Sequence, residues 1–163
     1  MAEGASINIM VIWLTGQPGA GKTTICRWLA ENSGRDFVHV DGDDIRAIFD
    51  NKDYSEPGRR ANVDLAQRIA LFLHLKGMDV MVSLVSPYRD QREALKTRLG
   101  PGMVEAWVHT AEIRGRESYH VAGYEPPHSD YLDLDTTSDS PGESAQKLIS
   151  YYEERLGEDR GRA

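Results

Sequence analysis

Gly16-Gln17-Pro18-Gly19-Ala20-Gly21-Lys22-Thr23 decides the reading of this chain. The stretch fits the phosphate-loop pattern G-x-x-x-x-G-K-[ST] at every fixed position. An apolar run from Ile7 to Leu14 reads as a buried strand feeding it, and Thr24 to Glu31 reads as the helix leaving it. The glycines let backbone N–H groups turn inward and cradle phosphate oxygens. The following helix aims its positive end at the same anion. Gly16 through Thr24 are therefore the nucleotide-binding residues. Lys22 reaches the β- and γ-phosphates, and the Thr23 hydroxyl is placed to ligate Mg²⁺. A strand–turn–helix carrying a chance lysine would share the glycines but not this complete pattern in this context. The motif implies binding of a nucleoside triphosphate.

Working outward, strand and helix signals alternate, which predicts a parallel sheet covered by helices. Strands are expected at Phe37–Val40, Asp79–Val85, Met103–Val108 and Tyr131–Leu134. Helices are expected at Asp43–Phe49, Arg59–Leu75 and Pro87–Leu99. In the second of these Val63, Ala66, Ile69, Ala70 and Leu73 follow helical spacing, and Pro57-Gly58 is read as a turn before it. Residues 111–127, rich in charge, His, Gly and Pro, read as a mobile flap. Ser140-Pro141-Gly142-Glu143 opens a last helix as a capping box with Pro at its first position. That helix is expected to run to about Leu156. The fold class is α/β: a P-loop NTPase three-layer sandwich with a five-stranded, mainly parallel sheet. The chain is read as one P-loop domain over residues 1–157, with a disordered tail at 158–163.

Bulk composition narrows the partners. The 163 residues suit one domain, and 28% charged residues with 40% hydrophobic ones suit a soluble globular protein. A net charge of −7 argues against a general nucleic-acid binder. No apolar stretch is long enough to span a membrane. A single cysteine, Cys26, excludes an intrachain disulfide and fits a reducing, cytoplasmic setting. Cys26 is read as a small packed residue of the first helix.

Asp41-Gly42-Asp43 follows the second strand at its C-terminal end, the edge where open α/β sheets bind ligands. One carboxylate there can accept a proton from an attacking hydroxyl, and one can hold Mg²⁺ through water. An acidic N-cap explains the same residues without chemistry. Arg46, Arg59, Arg60, Arg68, Arg89 and Arg92 form a second group, suited to an anionic acceptor. Arg60, Arg68 and Arg92, taken singly, read as solvated helix-face charges. Asn62 lies one helical turn after Arg59, so both can face one ligand. Ser86-Pro87-Tyr88-Arg89 follows the third strand at the same edge, and Tyr54 and Tyr88 are candidates for stacking on a base. The five histidines show no metal-ligand spacing, and His39 and His74 are read as packing or surface residues.

Together these residues resemble the adenylylsulfate (APS) kinase family. The likeness is carried by the phosphate loop with Lys22-Thr23-Thr24, by Asp41-Gly42-Asp43 with Arg46, and by Tyr54-Ser55. Arg59 with Asn62 and Ser86-Pro87-Tyr88-Arg89 with Arg92 complete it. The resemblance implies transfer of the γ-phosphate of MgATP to the 3′-hydroxyl of APS. It implies that Asp43 orients or deprotonates that hydroxyl, and that Arg46, Arg59 and Asn62 bind the acceptor's phosphosulfate region. Tyr54 stands where the family usually stacks a Phe on the acceptor's adenine, and Val85 and Ser86 line that pocket. Asp41 is assigned to both acceptor and metal, alongside Thr23 for the metal. The family is often dimeric, though no exposed stripe in this sequence demands it.

The flap departs from the family. A basic lid with Lys-Gly-Leu-Tyr and a later Phe-Thr-Gly segment are both replaced by the shorter Glu112–Gly123. Arg114 and Arg116 are expected to supply the lost charge, and Tyr119 or His120 the lost aromatic. The rival readings are a kinase of another nucleotide conjugate or small anionic alcohol, and a catalytically weak ATP-binding regulatory protein.

Overall fold

The computed structural model describes residues 9–161. Five strands form one sheet: β1 (Val11–Thr15), β2 (Phe37–Asp41), β3 (Asp79–Ser83), β4 (Met103–His109) and β5 (Leu132–Asp135). Their order is β2-β3-β1-β4-β5, and all four pairings are parallel. The helices are α1 (Lys22–Asn32), α2 (Gly42–Ile48), α3 (Glu56–Leu75), α4 (Arg89–Leu99) and α5 (Pro141–Gly161).

Side-chain alternation along β1 builds both layers at once. Met10, Ile12 and Leu14 face a core shared with Ile25, Cys26 and Leu29 of α1 and Ala145, Leu148 and Tyr152 of α5. Val11 and Trp13 face the opposite core, shared with Ile45, Val63, Ala66, Ala70 and Leu95 from α2, α3 and α4. A central strand buried on both faces is why β1 is apolar from Val11 to Leu14. None of the helices described is long and apolar enough to cross a membrane.

Parallel strands deliver their C-terminal ends to one edge of the sheet. β1 turns there into the phosphate loop, β2 ends at Asp41 and β3 ends at Ser83. Because β3 lies between β2 and β1, successive connections leave in different directions and open a crevice at this edge.

Several element limits differ from the sequence reading. β1 begins at Val11, and Ile7 and Asn8 lie outside the described residues. Pro57-Gly58 is not a turn before α3 but part of its first turn: Ser55 caps the helix by accepting from Gly58 N–H. Proline is tolerated there because its missing N–H has no intrahelical partner to lose. α5 begins as expected, with Ser140 and Glu143 exchanging backbone and side-chain bonds. It continues to Gly161, so the expected tail is helical over 158–161. Gly157 costs a helix only about 1 kcal/mol relative to alanine, and no proline follows to stop it. Residues 162–163 lie outside the described residues.

Candidate active site

The phosphate loop is shaped by close approach. A Cβ on Gly16 would stand 2.1 Å from the Val108 carbonyl oxygen, so only glycine lets β1 turn beside β4 here. Gly21 sits at the N-terminus of α1 with φ 111°, a left-handed conformation that favours glycine. Lys22 follows at once and is buried. Its Nζ donates to the carbonyls of Gly16 at 2.7 Å and Gln17 at 2.9 Å. Burial lowers its pKa to about 8, against the opposing pull of Asp41 and Asp43. An ammonium held by two neutral carbonyls in this loop is a cation waiting for an anion.

Asp41 is the hub beneath that loop. Its Oδ1 accepts from Asp43 N–H at 2.9 Å, which caps α2. Its Oδ2 accepts from Thr23 Oγ1 at 3.1 Å and from Ser83 Oγ at 2.9 Å. The capping explanation of Asp41 is therefore correct and incomplete, since the second oxygen is aimed at the phosphate loop. A Cβ on Gly42 would stand 2.7 Å from Leu84 Cβ, so the glycine lets α2 seat Asp43 against the end of β3.

A cleft of about 660 Å³ opens over these groups. Pro18, Gly19, Lys22 and Thr23 line its phosphate-loop end. Asp41, Asp43, Arg46, Tyr54, Arg59, Asn62, Val85 and Ser86 line the remainder, so the residues that the family resemblance assigns to the acceptor lie in one cavity. Arg46 spends Nη1 on the carbonyls of Asn51 and Asp53 and lays its guanidinium over the Tyr54 ring at 4.2 Å. Tyr54 is 61% exposed, leaving ring surface open to a planar ligand. Arg59 lines the cleft without a carboxylate partner among the described residues. Asn62 is buried, donates to the Gly42 carbonyl at 3.4 Å, and has an Oδ1 without a partner. Ser86 is buried at φ 45° with its Oγ unpartnered. Two orphaned polar atoms in one cleft wall are the mark of a site completed by a ligand or by water.

Two assignments change, one arginine and one tyrosine. Arg92 is not a solvated helix-face charge: it is fully buried and pairs with the fully buried Glu105 at 2.7 Å. Glu105 also binds Lys96 at 2.6 Å, and Arg92 donates to the carbonyls of Ser86 and Glu125. This network holds the cleft loop and the end of the flap together. Tyr88 is buried under the Arg60 guanidinium at 4.1 Å and does not line the cleft, so it stacks on no ligand there. Arg60 is paired with Glu56 and Asp90, and Arg68 with Asp64, as helix-surface charges.

The flap is sewn down at both ends rather than left free. Arg114 donates to the carbonyls of Gly19, Ala20 and Thr136 and pairs with Glu112. Gln17 exchanges two hydrogen bonds with the Val121 backbone. Between them a single helical turn, Glu117–Tyr119, brings Arg116, Ser118, Tyr119 and His120 to the cleft. The two arginines have thus divided. Arg114 is a strut behind the phosphate loop, while Arg116 faces the cleft, its guanidinium over Tyr119 at 5.1 Å. Sequence reasoning missed Gln17 as a flap anchor, and it missed His39 and Ser83 in the network under Asp41. Only three-dimensional pairing of distant segments reveals these roles.

The donor set suits a magnesium nucleotide. The Thr23 hydroxyl and the Asp41 carboxylate are hard oxygen ligands, at the loop where the phosphates belong. No cluster of three or more His, Cys, Asp or Glu residues able to hold a metal occurs among the described residues.

Comparison with known proteins agrees with this geometry. Residues 8–121 match the family model described as adenylylsulphate kinase. The chain is 31% identical to a probable adenylyl-sulfate kinase of Pyrococcus abyssi, covering 85% of this chain and 91% of that protein. It is 30% identical to an adenylyl-sulfate kinase of Pseudomonas aeruginosa, over 88% of this chain and 85% of that one. Among solved structures, the Mycobacterium tuberculosis APS kinase in complex with AMPPNP and APS superimposes with a TM-score of 0.71. It is 23% identical and covers 89% of this chain and 98% of that one, a likeness of fold.

Proposed function

This chain belongs to the adenylylsulphate kinase family, and we propose that it moves the γ-phosphate of ATP to the 3′-hydroxyl of adenylyl sulfate. The products are 3′-phosphoadenylyl sulfate and ADP. The observation that carries this reading is the single cleft joining Lys22 and Thr23 to Asp43, Arg46, Tyr54, Arg59 and Asn62. A pure nucleotide binder needs the first pair and has no use for the rest.

The chemistry follows from the residues present. Backbone N–H groups of the phosphate loop and the start of α1 bind the β- and γ-phosphates. Lys22 exchanges the Gly16 and Gln17 carbonyls for phosphate oxygens. A neighbouring polyanion favours its charged form, offsetting the burial that lowers its pKa. Thr23 and Asp41 would hold Mg²⁺, which would supply charge neutralisation at the phosphates. Tyr54 stacks on the acceptor's adenine, and Val85 and Ser86 line the same pocket. Arg46, Arg59 and Asn62 take the phosphosulfate region. Asp43 accepts the proton of the acceptor hydroxyl as that oxygen bonds to the γ-phosphorus. Transfer is in line, with positioning and charge stabilisation supplying most of the acceleration.

The test is ADP release with adenylyl sulfate against a panel of other nucleotide conjugates and sugar alcohols, the product being identified by mass. Adenylyl sulfate should be the preferred acceptor by kcat/KM. Turnover confined to a different acceptor would reject the assignment, and ATP binding without any acceptor-dependent ADP release would reject catalysis.

A further inference from the structure

Asp41 and His39 lie two residues apart on β2, and so on one face of the strand. Parallel pairing sets Asp41 opposite Ser83 of β3. Three side chains thereby form a line. His39 Nε2 lies 2.6 Å from Ser83 Oγ. Ser83 Oγ lies 2.9 Å from Asp41 Oδ2, and that oxygen also meets Thr23 Oγ1 at 3.1 Å.

The protons in this line have one consistent arrangement. An ionised carboxylate only accepts, so Ser83 and Thr23 each direct a hydroxyl proton at Asp41. The Ser83 oxygen then receives its own hydrogen bond from the His39 Nε2–H, which fixes the imidazole tautomer. A chain with its donors aligned in this way strengthens each bond in it. Capping of α2 requires only Oδ1 of Asp41, so the cap does not explain why Oδ2 is held. Oδ2 accepts the Thr23 hydroxyl hydrogen bond, which leaves both Thr23 lone pairs free for another partner.

We propose that His39 and Ser83 are positioning residues that fix the Asp41 carboxylate so that it orients Thr23, and that this line governs the magnesium-dependent part of ATP affinity. The inference rests on the reading that Thr23 ligates Mg²⁺.

The experiment measures ATP binding by calorimetry, in EDTA and in excess Mg²⁺, for the parent protein and for Thr23→Ala, Ser83→Ala, His39→Leu and His39→Gln. The readout is the ratio of the two affinities, with the thermal midpoint as a check of folding. Thr23→Ala should abolish the enhancement by Mg²⁺. Ser83→Ala and His39→Leu should each cut it about fivefold, the size of one net hydrogen bond, with affinity in EDTA unchanged. His39→Gln keeps an N–H for Ser83 and should recover much of the loss. The double variant Ser83→Ala with His39→Leu should be no worse than Ser83→Ala alone, because the line runs through Ser83. Equal losses in EDTA and in Mg²⁺ mean general disruption and overturn the proposal. An unchanged ratio in Ser83→Ala and His39→Leu, with the ratio lost in Thr23→Ala, overturns the relay and leaves the metal assignment standing. Full enhancement retained in Thr23→Ala overturns both. If His39→Leu does not fold, Ser83→Ala decides between these outcomes.

Discussion

Gln17 and Val121 form a two-bond ring across the cleft mouth. The Gln17 amide donates to the Val121 carbonyl at 2.9 Å, and the Val121 N–H donates to Gln17 Oε1 at 2.8 Å. The side chain thus pairs with the flap as a neighbouring strand would. Gln17→Leu keeps the bulk and removes both bonds. It should accelerate tryptic cleavage after Arg116 and lower kcat/KM for the acceptor about tenfold. Unchanged cleavage and unchanged turnover would show that the ring does not hold the flap.

Arg114 and Arg116 should respond differently to removal. Arg116→Ala takes away the cation that the flap brings to the cleft and should reduce kcat/KM by about tenfold, roughly 1.4 kcal/mol of transition-state stabilisation. Arg114→Ala releases the carbonyls of Gly19 and Ala20, so it should lower the thermal midpoint and weaken nucleotide binding. Steady-state kinetics on both variants, with melting curves, separates the two roles. The reverse pattern would exchange strut and cleft cation.

Lys22 couples function to pH. Its pKa in the folded protein is about 8, against 10.5 for an ordinary lysine. The unfolded chain therefore binds more protons between those values, so this residue's contribution to stability rises with pH from about 8 to 10.5. Below pH 8 both states are protonated and the destabilisation, on the order of 3 kcal/mol, is fully present. The unfolding free energy of the parent protein relative to Lys22→Met should rise across that window in urea titrations. Over the same range kcat/KM for ATP should fall, because the free enzyme loses the cation that captures phosphate. Lys22→Met itself should lose at least about 10³-fold in turnover. A pH-independent stability difference would contradict the buried-ammonium assignment.

Asp43→Asn keeps the shape of the α2 turn and removes the proton acceptor. The expected loss is about 10²–10⁴-fold in kcat, with ATP affinity held. Collapse of ATP affinity with kcat preserved would make Asp43 a metal or capping residue instead.

The Glu105 carboxylate faces two cations, Arg92 and Lys96, in a buried setting. Glu105→Gln takes the carboxylate partner from the buried Arg92 and leaves Lys96 with Glu93 alone, and breaking such a network costs about 3–5 kcal/mol. A urea-unfolding midpoint equal to the parent's would show that the cations find other partners. Because Arg92 also holds the Ser86 carbonyl, acceptor KM should rise along with the loss of stability.

Local pattern was enough to read the phosphate loop and the alternation of strands and helices, each written within a short stretch of sequence. Asp43, Arg46, Tyr54, Arg59 and Asn62 span two helices and a loop, so it took the family resemblance to single them out together, and the fold to gather them along one cleft. Arg92 was misread because its partner Glu105 is 13 residues away on a strand, and a charged residue on a helix is ordinarily solvated. Tyr88 was misread because only packing shows that Arg60 covers its ring. The line from His39 to Thr23 depends on the register of β2 against β3, which no local pattern specifies. α5 ran past its expected end because Gly157 weakens a helix without breaking it.

Arg114 gives the flap a second consequence, for engineering. Its guanidinium grips carbonyls of the very loop that must cradle phosphate, and Thr136 donates to the Ala20 carbonyl beside it. The lid of this protein is not an interchangeable module. Grafting the longer family lid in place of residues 112–123 would withdraw a brace from the nucleotide site. A successful chimera would have to import a substitute brace together with the new loop, and lids designed only for their reach over the acceptor would weaken ATP capture first.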